Sequence, residues 1–320
     1  RRRACNLGEC RFVENLDRLS ATDRFSRRHC KICGLVSGLR REMKMSDDFQ
    51  DYDDVRSAQI LYASLEEQKK RRTSVKRNVK HHAKLAFVRC VDGRKWNEDE
   101  VEKNLSCAMI SMRRTETAKG RDWLTRGAIA CAITHRSNMI NQIGDLGKVC
   151  CEDDVVIARS MLAYIGDGTL QVGLEKLDGV TLLDYRSQSN IFAERDPVMT
   201  VGKYSVHKVR PAGLGSAASY FVPSHVAKNI VSFQTPISTS CDHWDEMISG
   251  GAFQNLYVVH PRPTRIGDFP TTIGYAYSQK SRVKDLLSRI VFLRRLKHRF
   301  MAIRGDFKEA VTNWVEKIDG

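Results

Sequence analysis

The sequence predicts an α+β protein in four parts: a Cys-rich module (residues 1–45), a mainly helical basic region (46–160), an antiparallel β-sandwich or jelly-roll-like domain (161–277) and a basic amphipathic C-terminal helix (278–320). Three observations carry this expectation. Four cysteines cluster in the first 33 residues. Apolar residues then recur at helical spacing, and from about Leu162 they alternate with a period of two. The hydrophobic fraction of 42% and only seven prolines leave most of the chain able to bury a core. No apolar run approaches the roughly 18 residues that cross a bilayer, so no transmembrane segment is expected.

The N-terminal module rests on spacing. Cys5 and Cys10 form C-x4-C, nineteen residues intervene, and Cys30 and Cys33 form C-x2-C, followed by Gly34. Zinc takes four ligands in a tetrahedron, and two close pairs joined by a loop supply them from a short chain. The expected cofactor is therefore a structural zinc ion on Cys5, Cys10, Cys30 and Cys33, with His29 the alternative to Cys30. Ten cysteines without a secretory pattern suit a reducing compartment better than a disulfide scaffold. The start Arg1-Arg2-Arg3 without Met is expected of a processed product or a fragment.

The basic region begins acidic, with Asp47, Asp48, Asp51, Asp53 and Asp54, as a helix N-terminus prefers. Val55, Ile60, Leu61 and Leu65 continue at helical spacing into Lys69, Lys70, Arg71, Arg72, Lys76, Arg77, Lys80 and Lys84, a window with no acid. Helical pieces are expected at 97–112 and 123–133. The chain as a whole carries 53 Lys and Arg against 38 Asp and Glu, a net charge of +15. Such an excess predicts a polyanionic partner, single-stranded RNA, with an anionic membrane surface as the alternative.

In the β-rich part, Leu170, Val172 and Leu174 alternate, Asp178-Gly179 reads as a hairpin turn, and Val180 and Leu182 resume the alternation. Further short strands are expected around Tyr204 to Val209, Tyr220 to Val222, Ile230 to Phe233 and Leu256 to Val259. The tail returns to helical spacing at Leu286, Ile290, Leu293, Leu296 and Phe300. Its basic residues, with Arg289, Arg294, Arg295, Lys297 and Arg299 the foremost, join the Lys69 to Lys84 run as the expected nucleic-acid-binding set.

Motifs of common enzymes are missing. Gly166-Asp-Gly168-Thr-Leu-Gln-Val-Gly173 lacks the lysine of a phosphate-binding loop and the third glycine of a dinucleotide fingerprint, and neither H-E-x-x-H nor G-x-S-x-G occurs. Cys241-Asp242-His243 brings reactive types together, but adjacent side chains in an extended segment point to opposite faces. A non-enzymatic binding protein is therefore expected, with a cysteine protease, or a nuclease using Asp167 and Asp184, as the enzymatic alternatives.

Tyr164-Ile165-Gly166-Asp167-Gly168-Thr169-Leu170-Gln171-Val172-Gly173-Leu174, followed by Val180-Thr181-Leu182-Leu183-Asp184-Tyr185-Arg186, resembles the strand pattern of the plant-virus 30K movement-protein superfamily. Asp184 takes the place of that superfamily's signature Asp, with Arg186 two residues on. The resemblance implies a viral protein of the host cytoplasm that binds single-stranded RNA cooperatively, acts at plasmodesmata and carries viral genomes between cells; a homo-oligomer is a further partner to be expected. A nucleocapsid-like or silencing-suppressor RNA-binding protein is the alternative within the binding class.

Overall fold

The structure, a computed structural model, describes residues 52–119, 124–187, 191–267, 269 and 314–317. The chain divides into two units, residues 1–50 and 51–320, and every described residue lies in the second. In chain order the elements are α1 (Tyr52–Ser57), β1 (Ile60–Ser64), α2 (Lys69–Val79), β2 (Leu85–Arg89), a 3-10 turn (Gly93–Lys95), α3 (Glu98–Lys103), α4 (Cys107–Ala118) and α5 (Arg126–Ile140). Next come β3 (Val149–Glu152), β4 (Val155–Ile157), α6 (Arg159–Gly166), α7 (Thr169–Leu174), β5 (Gly179–Leu182), β6 (Arg186–Ser187), β7 (Ile191–Glu194), β8 (Met199–Val201) and β9 (Tyr204–Val209). The remainder is β10 (Leu214–Gly215), β11 (Ser219–Phe221), α8 (Ser224–Phe233), α9 (Trp244–Ser249), β12 (Asn255–His260), β13 (Thr264–Ile266) and β14 (Trp314–Lys317).

One mixed sheet organises them, in the order β14-β7-β9-β12-β5-β11-β3-β1-β2, with β8 added to β9. β2, β1 and β3 are parallel. β11 runs antiparallel between β3 and β5, which therefore point the same way, and β12 is parallel to β5. β4 and β13 form a separate two-stranded ribbon.

β1 is buried at all five positions, Ile-Leu-Tyr-Ala-Ser. Helices cover both faces of a parallel sheet, so its central strands lose the polar-apolar alternation. Ile60 and Tyr62 join a core with Val75 and Val79 of α2, Leu162 and Ile165 of α6, and Leu170 of α7. Leu61 and Ala63 point to the opposite face, where α5 packs on β1.

Local chemistry fixes the helix starts. Thr125 Oγ1 accepts from the Ala128 amide at α5, and Ser106 caps α4 in the same way. Asn97 and Glu100 form a reciprocal capping box at α3. Gly179 is dictated by close approach, since a β-carbon there would lie 1.7 Å from the Asn255 carbonyl oxygen.

The mixed α and β content agrees with the sequence, and among the described residues no closed barrel forms. Several elements differ from expectation. Ile60–Ser64 is a strand where a continuous helix was expected, and residues 162–174, the expected start of the β-rich part, form α6 and α7. Asp178-Gly179 opens β5 rather than turning a hairpin, because β5 pairs with β11 and β12. Ile230 to Phe233 ends α8. Strands from before and after residue 160 share one sheet containing parallel pairs, so the expected boundary falls inside it and the antiparallel sandwich is not what forms. Residues 1–45, with the four proposed zinc ligands, lie outside the described residues. So does the expected C-terminal helix, except that 314–317 form strand β14.

Candidate active site

The carboxyl ends of β1, β2 and β3 open together into a pocket, the place where open α/β sheets take their ligands. Its empty space, counting solvent in the open mouth, is about 750 Å³. One wall is the N-terminal half of α5, where Gly127 and Ala130 leave room. Beside it, the turn at 91–95 packs so closely on α5 that a β-carbon on Gly93 would sit 2.4 Å from the Arg126 carbonyl oxygen.

The floor is acidic. β3 ends at Glu152, and Asp153 and Asp154 make the two-residue turn into β4. Asp153 is fully engaged: Arg71 Nη1 donates to Oδ1 at 2.7 Å and Ser64 Oγ donates to Oδ2 at 2.6 Å. Arg71 comes from the first turn of α2, is 5% exposed, and packs its guanidinium 5.5 Å from the Phe269 ring centroid. Asp154 is the exception. Its Oδ2 lies 3.5 Å from the same guanidinium, whereas Oδ1 is buried with no hydrogen-bond partner among the described residues. Burial first, then the charges of Glu152 and Asp153, raise its pKa to about 6 against the pull of Arg71.

Glu152 faces a second group. Its Oε1 is 3.7 Å from His135 Nε2, while His135 Nδ1 meets the Tyr220 hydroxyl at 2.8 Å. Cys131 lies one helical turn before His135, and its Sγ is 3.6 Å from that of Cys241. The hydrogen bond with Cys241 lowers the Cys131 thiol against its burial, and Cys241 is correspondingly raised. Burial would discharge His135, but Cys131 and Glu152 outweigh it and lift the imidazole above its ordinary value.

The residues expected to bind nucleic acid are separated by this arrangement. In α2, Arg71, Val75 and Val79 form the buried stripe. Lys69, Lys70, Lys76 and Arg77 are exposed, as are Lys80 and Lys84 beyond the helix, and Arg72 bonds the Glu66 carbonyl. Arg71 is thus a partner of the acidic floor and is withdrawn from any polyanion. Arg289, Arg294, Arg295, Lys297 and Arg299 lie outside the described residues.

Asp184 is 1% exposed and closed in by Ser216 Oγ at 2.7 Å, Arg186 at 3.7 Å and Arg262 at 3.9 Å. Asp167 is on the surface, where it accepts the Thr169 amide. Cys241 turns towards Cys131, while His243 bonds Glu246 at 3.1 Å. Neither the Cys241–His243 pair nor the Asp167–Asp184 pair is assembled.

Sequence reasoning missed Glu152, Asp153 and Asp154. Their signal was three successive carboxylates between the apolar runs Val149–Cys151 and Val155–Ile157 in a basic chain, the pattern of a buried strand delivering acids to a sheet edge.

Residues 58–243 match the family model described as glycosyltransferase family 25 (LPS biosynthesis protein), and they span the pocket from before β1 to the residue preceding α9. No curated protein matches. The match overturns the movement-protein resemblance, the RNA-binding function with its partners, viral keywords and plasmodesmal setting, and the expectation of a non-enzyme. The structure supplies the physical reason: the text read as the superfamily's first strand is helical, and Asp184 is an internally paired carboxylate. What survives of the expected location is that, among the described residues, no helix is long and apolar enough to cross a membrane. With more than half of its length matched, the chain belongs to glycosyltransferase family 25.

Proposed function

We propose that the chain transfers a glycosyl group from a nucleotide sugar to an acceptor hydroxyl, with the donor's diphosphate held over the turn at Asp153 and Asp154. The observation that carries this reading is the buried, unpartnered Oδ1 of Asp154 on the floor of a pocket at the carboxyl ends of parallel strands. An orphaned buried carboxylate oxygen is costly unless something binds it. A magnesium- or manganese-like cation takes one or two carboxylates plus substrate phosphates, and Asp154 fits that donor role. When bound, such an ion supplies neutralisation of the charge gathering on the departing diphosphate.

The chain's own residues do the rest. Arg71 and Ser64 lock Asp153, which fixes the turn and hence the direction of Asp154. The 91–95 turn and α5 wall the pocket against water on the nucleotide side. In the reaction, the acceptor oxygen bonds to the anomeric carbon, the bond from that carbon to the diphosphate oxygen breaks, and the acceptor proton leaves to a base or solvent. The family description names lipopolysaccharide synthesis, which makes a saccharide hydroxyl the acceptor to try first.

The test is calorimetric titration of nucleoside diphosphates with manganese or magnesium, followed by nucleotide release from a panel of nucleotide sugars. Wild-type protein is expected to bind one nucleotide class in a cation-dependent way, and Asp154→Asn to abolish it. Failure of every nucleoside diphosphate to bind overturns the reading. The spacing of Cys5, Cys10, Cys30 and Cys33, with His29 as the alternative to Cys30, supports a separate proposal of a structural zinc in residues 1–45, checked by counting zinc before and after Cys→Ser substitution there.

A further inference from the structure

The acidic floor accounts for Asp153 and Asp154 but not for the sulfur and imidazole group beside it. Cys131 and His135 project from one face of α5 at the i, i+4 spacing by which a helix offers two ligands to one ion. Cys241 reaches the same point from the loop before α9, more than a hundred residues later. One ligand atom from each of the three lies within 4.8 Å of the other two.

The distances suit a metal. Two thiolates sharing a tetrahedral zinc with bonds of about 2.3 Å stand roughly 3.8 Å apart, against 3.6 Å for Cys131 and Cys241. The histidine is oriented as a ligand requires: Tyr220 OH holds Nδ1 at 2.8 Å, which leaves Nε2 for the ion, the usual outer-sphere device on metal-bound histidines. Glu152 Oε1 lies 3.7 Å from that Nε2, next to the three converging ligand atoms but outside their group. The set of two sulfurs and one nitrogen suits zinc and disfavours magnesium or calcium.

We infer that Cys131, His135 and Cys241 form a zinc site that ties α5 to the segment before α9, at the side of the pocket that Cys131 and His135 line. The inference does not rest on the transferase reading, because its argument uses only the Cys131, His135 and Cys241 geometry and not Asp154.

The experiment uses the full chain with Cys5, Cys10, Cys30 and Cys33 changed to Ser, so that any zinc at the N-terminus is removed from the count. This variant is expected to carry one zinc equivalent by elemental analysis and, with cobalt in its place, to give the thiolate charge-transfer and ligand-field bands of a tetrahedral centre. Adding Cys131→Ser and Cys241→Ser takes the zinc to zero and removes both sets of bands.

A measurement on the unsubstituted chain guards against misfolded variants. Alkylation of Cys131 and Cys241, mapped by peptide mass spectrometry, is expected to be blocked until a chelator releases the ion, after which both react together. The inference is overturned if the two thiols react alike with and without chelator, if they are recovered as a Cys131–Cys241 disulfide, or if the N-terminal variant folds cooperatively and holds no zinc.

Discussion

Two carboxylates close two strands that point the same way, Asp154 beyond β3 and Asp184 beyond β5, with antiparallel β11 between those strands. Asp184 is buried and Asp154 half-buried with one oxygen out of reach of solvent, and they differ in partners. Asp184 has a hydroxyl and two guanidinium groups around it, whereas Asp154 keeps one oxygen without a hydrogen bond among the described residues. Fold stability needs the first kind of carboxylate. The second costs stability and is retained where a ligand completes it.

The largest effect on this comparison is expected at Arg71, the cation that neutralises the floor. Arg71→Met leaves Asp153 as an uncompensated buried charge, and urea unfolding should show a loss of about 3–5 kcal/mol. A loss below about 1 kcal/mol would mean that the floor is more solvated than its burial indicates.

The two aspartates themselves should then divide. Asp154→Asn is expected to cut nucleotide-sugar turnover by roughly a hundredfold or more, in the range seen when one electrostatic group of an active site is removed, with little cost to unfolding. Asp184→Asn is expected to lower stability by about 1–3 kcal/mol while nucleoside diphosphate affinity stays at the wild-type value. Exchange of these two outcomes would break the comparison.

Acid dependence sharpens it further. Because the folded-state pKa of Asp154, about 6, exceeds the ordinary carboxylate value, folding takes up a proton there between pH about 4 and 6. Its contribution is fully present below pH about 4 and is lost as pH rises through 6. Asp154→Asn should remove that decline in denaturation curves at pH 4.5 and 7, and cation-dependent nucleotide binding by the wild type should strengthen over the same interval.

The smallest effect is expected at the surface. Glu98 bonds Arg113 and Arg126, which hold its carboxyl down to about 2, yet all three are partly exposed. Glu98→Gln should therefore cost less than about 1 kcal/mol, and less again in high salt.

The sequence was legible where one structural period operates alone. Tyr204–Val209, Ser219–Phe221 and Asn255–His260 are strands where alternation or β-rich composition placed them, and α2 carries the basic run. It misled where burial on both faces erased the period. In Ile60–Ser64 every residue is buried, so its apolar run joined the helical spacing before and after it. Leu170, Val172 and Leu174 mimicked a strand, but Val172 is exposed while its two neighbours are buried in a helix. The site was harder still, since its decisive contact joins Arg71 to Asp153 across 82 positions. Arg71 looked like one cation among eight, and only tertiary packing distinguishes it.

The placement of β11 has a consequence for the chain as it emerges from the ribosome. β1, β2, β3 and α5 are all made before residue 153, but the strand that covers the open side of β3 arrives only at 219–221, bringing the phenol that holds His135. β5 waits for the same three residues on one side and for 255–260 on the other. For that interval the nascent chain carries unpaired strand edges, the surfaces most apt to join a neighbouring polypeptide.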